Sequence, residues 1–186
     1  MSAMLYDPDR LVRPVPRDVD AFRPVDLPGG DLPATVKWAL GEDEVEAAFS
    51  VRRQVFVDEQ GYTEQQEFDG AEVLALHVLA QLVPGCATTP GAARPLGAAR
   101  LLLDGREDPP VAYVSRLSVL PFARRMGLGT AIVGFVLEGA REMGCTKARA
   151  GAQTTALGFW ERLGFSPTGE GYMDFHVPHE WTERRL

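Results

Sequence analysis

The sequence predicts an α/β or α+β fold: one mixed, largely antiparallel sheet covered by helices on both faces. Three observations carry this expectation. Strand-like and helix-like segments follow in the order strand, helix, several strands, then strand–helix–strand–helix–strand. The middle strands are joined by Pro/Gly-rich connections of the kind that link antiparallel neighbours. The length, 186 residues, is enough for one domain with a real core.

Residues 1–33 stand apart. Pro8, Pro14, Pro16, Pro24, Pro28 and Pro33 alternate with Asp and Arg, and no helical or strand period survives. This reads as a Pro-rich N-terminal arm, extended or packed irregularly on a body of residues 34–186. Ala34 to Leu40 reads as the first strand. Glu42 to Val57 places Val45, Ala48, Phe49, Val55 and Phe56 at helical spacing with charges between, which suits a surface helix. Arg52 and Glu59 near its end are either a helix-face ion pair or a polar tip beside a substrate. Gly61 to Gly70 is a polar loop whose Glu64, Glu67 and Asp69 are either solvated or able to bind an amine and take its proton. Ala71 to Leu82 reads as a strand containing His77, with a hydrogen-bonded structural role as the simpler reading. Pro84 to Pro95, with Cys86 inside it, is a loop. Leu96 to Leu103 is a strand closed by the turn pair Asp104-Gly105.

Val111 to Leu120 is rich in β-branched and aromatic residues and reads as a buried strand ended by Pro121. The helix after Gly129 carries Ile132, Val133, Phe135, Val136 and Leu137 and stops near Gly144, a plausible C′ glycine. Lys147 to Gln153 is a short strand, and Thr154 to Leu163 a compact helix stopped by Gly164. Phe165 onward holds one last strand, ending at Pro178-His179.

Composition narrows the function. A formal charge of −7 and a pI near 5.0 argue against broad binding to nucleic acid or an anionic membrane. No uninterrupted apolar run reaches the roughly 18 residues of a membrane span. The stretch Met1 to Pro14 has no apolar core of a signal peptide. Cys86 and Cys145 fit no disulfide framework or zinc spacing, although one disulfide stays open. A reduced cytoplasmic protein with no metal site is expected.

The chemistry-bearing stretch joins the buried strand to the helix: Arg124-Arg125-Met126-Gly127-Leu128-Gly129-Thr130. A helix N-terminus offers unpaired N–H groups and a positive dipole end. Glycines admit a ligand close to the backbone, and two arginines add fixed charge. The sum is a pyrophosphate cradle, as opposed to a merely tight connection. A P-loop would need a Gly-Lys-Ser/Thr that is absent, and the dinucleotide fingerprint needs a third glycine where Ile132 stands.

Several blocks, taken in order and spacing, resemble the GNAT acyltransferases, and within them the ElaA-like branch. They are Arg52-x-x-Val55-Phe56-x-x-Glu59-Gln60, Glu67-x-Asp69, His77, Ala99-Arg100-Leu101-Leu102, Arg116-Leu117-x-Val119 and the cradle at 124–129. Ala152-Gln153, Phe159-Trp160-x-x-Leu163-Gly164-Phe165 and Gly169-Glu170 to Pro178-His179 complete the set. The likeness covers residues 34–180. It implies a GNAT fold in which acetyl-CoA or coenzyme A lies in a cleft between splayed strands at 111–120 and 147–153. Leu117 and Val119 would pair with pantetheine through their backbone. Arg124, Arg125, Gly127, Leu128, Gly129 and Thr130 would hold the pyrophosphate. Gln153 would stand where an Asn often touches pantetheine, and Phe159 would line the cleft. Trp160 replaces the Tyr that often protonates the departing thiolate, with water or Tyr172 as substitutes. Glu59, Asp69 and His179 are the candidates for handling the acceptor's proton. The implied activity is N-acetyl transfer to a small-molecule or peptide amine by a monomer or homodimer. The alternatives are a catalytically weak acyl-CoA-binding regulatory module and an enzyme like the acyl-homoserine-lactone synthases.

Overall fold

The computed structural model describes residues 8–28, 33–83 and 94–186. Among them, nine strands form one sheet: β1 (Leu11–Val12), β2 (Phe22–Asp26), β3 (Pro33–Ala39), β4 (Leu76–Leu82), β5 (Pro95–Asp104), β6 (Val111–Val119), β7 (Lys147–Gln153), β8 (Ser166–Asp174) and β9 (Val177–Arg185). The order is β2-β3-β4-β5-β6-β7-β9-β8, with β1 paired to β5 beyond the end of β4. Every pairing is antiparallel except that of β6 with β7. The helices are α1 (Glu42–Arg52), α2 (Glu64–Glu67), α3 (Leu128–Glu142) and α4 (Leu157–Arg162).

Helices lie on both faces, and strand alternation shows it. Along β4, Val78, Ala80 and Leu82 join the larger core, built with Ile132, Val133 and Val136 of α3 and with Trp160. Leu79, between them, points into a second core with Ala48 and Val51 of α1. A central strand covered on both faces loses its polar alternation, which is why Leu76 to Leu82 is apolar apart from His77 and Gln81. No helix among the described residues is long and apolar enough to cross a membrane.

Four features depart from the sequence expectation. The N-terminal segment contributes two strands to the sheet. β2 sits at an edge, where Pro24 can lack its N–H without breaking a central ladder. Its alternate residues are exposed, so it carries no core-facing signal strong enough to read. The first helix turns π-helical over Arg53–Glu59 and runs two residues further than its apolar pattern suggested. Ala71–Leu74 forms a 3₁₀ turn, and the strand begins at Leu76. The C-terminal stretch is a hairpin of two strands, because the chain reverses at Phe175-His176, a pair that bears no turn signal. Cys145 is buried and free; Cys86 and most of its loop lie outside the described residues.

Candidate active site

The site begins where two parallel strands part company. Val111 to Val114 of β6 pair with Lys147 to Ala150 of β7, and pairing ends there. Against β5, Arg100 faces Ser115 but Ala98 faces Ser118, so β6 carries one extra residue. That β-bulge contains Arg116 in the left-handed region at φ 53, and a bulge bends and twists its strand. Residues 115–119 therefore diverge from 151–153. The gap is a cleft of about 140 Å³ with Leu117 and Gly151 on its two sides and Phe56, Phe159 and Trp160 among its walls.

At one end the cleft opens onto the strand–turn–helix cradle. Gly127, at φ 85, is the N-cap of α3, and no side chain caps the helix. The first bond of the helix is Ala131 N–H to the Gly127 carbonyl at 3.0 Å, so the N–H groups of Leu128, Gly129 and Thr130 lie ahead of it. A second hollow is lined by Leu117, Val119, Arg124, Arg125, Gly127, Gly129, Thr130 and Phe159; it shares Leu117 and Phe159 with the cleft. Leu128 contributes only backbone, since its side chain is in the core. Arg125 is exposed and, among the described residues, has no ion-pair partner. A diphosphate fits this arrangement: open amides, a helix dipole and a cation on one concave surface. Arg124 is placed differently from the expectation. Its Nε donates to the Val119 carbonyl at 2.9 Å, and its Nη1 and Nη2 clasp the Glu59 carboxylate. This hydrogen bond and charge hold Glu59 below the usual carboxylate range.

The other end collects polar groups from α2, β6, β7, β8, β9 and the end of the first helix. Gln153, at the end of β7, donates from Nε2 to Gln60 Oε1 at 2.8 Å, bridging the cleft to the first helix. Tyr62, Glu67, Arg116, Tyr172, Asp174 and His179 line the rest. His179 is buried and stacks on Tyr172 with ring centroids 5.3 Å apart. Its Nδ1 donates to the Val177 carbonyl at 3.0 Å, which leaves the lone pair on Nε2. Burial lowers its pKa, against the opposing pull of that carbonyl, so the ring is neutral at pH 7. Tyr172 hangs over Gly151: a Cβ there would lie 2.0 Å from its hydroxyl, so only glycine admits the phenol. Trp160 is buried in edge-to-face contact with Phe165 and Phe159.

Of the three residues expected at the acceptor end, only His179 lines the cleft. Glu59 sits at the cradle with Arg124, and Arg52 pairs instead with Glu67 and Glu72, at 2.5 and 2.8 Å. Asp69 belongs to a buried network behind the cleft. Arg100, fully buried, reaches both its oxygens at 2.7 and 2.9 Å, and Arg116 approaches at 3.2 Å. Burial pushes the Asp69 carboxyl up, but the bonds and charge of Arg100, with Arg116 and the Ala71 N–H, outweigh it and hold the pKa at about 2. Such a carboxylate is a weak base. Glu67 is paired to Arg116 at 2.9 Å as well as to Arg52, and burial raises its pKa against their pull. His77 packs on Phe49 and hydrogen-bonds the Glu72 carbonyl, and burial lowers its pKa to about 4. Sequence reasoning assigned no role to Tyr62, Arg116 or Asp174, which come together only through the bulge and the hairpin. The one local signal was Gly151, the small residue that Tyr172 requires.

Comparison with known proteins bears on the family and the fold. The model of a family described as the acetyltransferase (GNAT) family matches residues 51–165. A Bacillus subtilis (strain 168) protein named provisionally as an acetyltransferase is 32% identical over 149 residues, 77% of this chain and 91% of the relative. Among solved structures, an acyl-CoA N-acyltransferase from Pseudomonas aeruginosa superposes with a TM-score of 0.65 at 27% identity, covering 82% of this chain and 99% of that one. ElaA from Escherichia coli superposes at 0.64 with 22% identity over the same shares, a likeness of fold.

Proposed function

The chain belongs to the acetyltransferase (GNAT) family, and from that premise we propose that it transfers an acetyl group from acetyl-CoA to the amine of a small molecule or peptide. The observation that carries the reading is the continuity of two hollows through Leu117 and Phe159: a cradle suited to a diphosphate at one end, a polar pocket at the other. A long donor with an anionic head and a reactive tip suits that shape. Arg125 and the amides of Leu128, Gly129 and Thr130 hold its pyrophosphate. The edge of β6 that no longer pairs with β7 offers backbone groups at Leu117 and Val119 to the pantetheine arm, the Val119 carbonyl already accepting from Arg124, with Gln153 and Phe159 beside it.

The acceptor enters as an ammonium and must lose a proton before it can attack. His179 Nε2 takes that proton. The amine nitrogen bonds to the thioester carbonyl carbon, the C–S bond breaks, and the departing thiolate takes a proton from the Tyr172 hydroxyl; the second proton that the nitrogen sheds on becoming an amide passes through water to restore the Tyr172 hydroxyl. Trp160 forms wall; its indole is a donor but no useful acid. The second reading, a catalytically weak acyl-CoA-binding module, is favoured by Trp160 standing where the family often has a Tyr. One experiment separates them: release of free thiol from acetyl-CoA across an amine library, with coenzyme A affinity measured by calorimetry. Binding with thiol release supports the transferase, binding without it the module, and no binding sinks both.

A further inference from the structure

The β8–β9 hairpin closes on Phe175 and His176, with Asp174 opposite Val177. Phe175 sits at φ 53. For a bulky residue that backbone is unfavourable and persists only where the surroundings impose it, commonly at a functional site. Here they do. His176 Nε2 donates to the Gln60 carbonyl at 2.9 Å, and the Tyr62 hydroxyl donates to the Asp174 carbonyl at 3.4 Å. The Tyr62 ring also packs edge-on against Phe175 and tilted against His176. The turn is thus tied to the end of the first helix, and Asp174 is held in the cleft wall beside Tyr62, Glu67, Arg116 and His179.

The charges at this end do not cancel. Glu67 is committed to Arg52 and Arg116. Arg116 has its Nε and Nη2 on Glu67, Gln66 and Asp69. His179 is neutral at pH 7, as argued above. Asp174 has no ion-pair partner among the described residues, so its negative charge is left over. The carboxylate has the Tyr62 hydroxyl beside it but no cation, so its charge is open to one that enters the cleft.

We propose that the Asp174 carboxylate is the subsite for the acceptor's ammonium, and that the acceptor class is a cationic amine with no carboxylate beside the reacting nitrogen. This rests on the transferase reading above. An α-carboxylate entering with the amine would meet Asp174 at close range in a partly enclosed cleft, where like charges repel. Arg116 cannot relieve it, because Glu67 and Asp69 already balance its charge. Asp174 holds the ammonium within reach of His179, which then takes the proton.

The test uses acceptor pairs that differ only by the carboxylate: agmatine against arginine, tyramine against tyrosine, histamine against histidine. Thiol release from acetyl-CoA is followed for the wild type, Asp174→Asn and Asp174→Glu, with coenzyme A affinity and melting temperature measured in parallel. In at least one pair the decarboxylated amine is used with kcat/KM higher by about tenfold or more. Asp174→Asn then raises that amine's KM by roughly ten- to a hundredfold, the scale of a lost charge-assisted hydrogen bond. Asp174→Glu recovers part of the loss, while coenzyme A affinity and melting temperature stay as in the wild type. Equal or better use of the amino acids, turnover of neither partner in any pair, or an unchanged acceptor KM in Asp174→Asn overturns the proposal and leaves donor binding standing. Failure of the wild type to bind coenzyme A takes down the transferase reading with it.

Discussion

Arg124 and Glu59, sixty-five residues apart in sequence, form a two-pronged ion pair at the edge of the cradle, with Nη1 2.7 Å from Oε1. The guanidinium expected to meet a pyrophosphate therefore meets a carboxylate first. Both side chains are partly exposed, at 39% and 38%, so the pair itself stabilises little.

A first prediction follows from that competition. Glu59→Gln removes the rival anion, and coenzyme A should bind up to about fivefold more tightly, in line with the worth of one exposed pair. Arg124→Ala should weaken binding, by about 1–3 kcal/mol if the arginine turns to the diphosphate. Titration calorimetry on both variants decides it; looser binding in Glu59→Gln would mean that the pair orients Arg124 for the ligand.

Gly129 gives a direct test of the cradle. A Cβ there would touch the Phe159 ring at 3.4 Å, a contact the fold accommodates with a small shift. Gly129→Ala should fold and keep most of its affinity. Gly129→Asp should fold yet lose coenzyme A binding by roughly a hundredfold or more, since it places an anion beside the diphosphate in a partly enclosed site. Undiminished affinity in a folded Gly129→Asp protein would remove the diphosphate from this turn.

Asp69 is expected to act on stability. Replacing it by Asn removes one of the two carboxylates on buried Arg100, with Glu72 remaining at 2.8 Å, which should cost about 1–3 kcal/mol in chemical denaturation at pH 7. The pH dependence has a definite sign. The carboxyl is near its ordinary 3.8 unfolded and about 2 folded, so its contribution is present above about pH 4 and lost as pH falls towards 2. The stability gap between the wild type and Asp69→Asn should narrow across that window, and a gap constant from pH 5 to pH 2 would contradict the pairing.

Trp160 and Tyr172 should separate cleanly. Trp160→Phe removes part of a buried aromatic cluster and should cost about 1–2 kcal/mol of stability without changing the shape of the pH–rate profile. Tyr172→Phe should leave coenzyme A affinity intact and lower kcat on the order of a hundredfold, the usual contribution of a placed acid. Loss of a pH limb in Trp160→Phe would reverse the two assignments.

His179 should set the acidic limb of activity. Its pKa is lowered by burial, so the base is available at neutral pH and is lost to protonation only below about 6.5. His179→Gln should lower kcat by about a hundredfold and flatten that limb. An acid limb that persists in His179→Gln would assign it to another group, with Asp174 and Glu67 the carboxylates that line the cleft.

What the sequence determined by itself was local and contiguous. Val111 to Thr130 encodes a strand, a stop at Pro121, two arginines and a glycine turn into a helix. Backbone conformation and helix polarity follow from neighbours in the chain, so the strand–turn–helix was legible before any fold was known. The succession of strands and helices from Ala34 to Leu163 was legible for the same reason. The ends of the sheet were not: β2 is an exposed edge with a proline, and the β8–β9 reversal runs through Phe175-His176, where tertiary bonds to Gln60 and Tyr62 replace turn chemistry. Side-chain partnerships were decided only in three dimensions. Glu59 and Arg52 share a helix, yet one meets Arg124 and the other Glu67 and Glu72. Asp69 lies in a polar loop but is clasped by Arg100 from β5. Asp174 enters the cleft because a strained turn is pinned against the first helix. Charges pair through strand register and bulges, and one extra residue at Arg116 is enough to redirect them, so spacing along the chain carries no record of which carboxylate is braced and which is left facing the cleft.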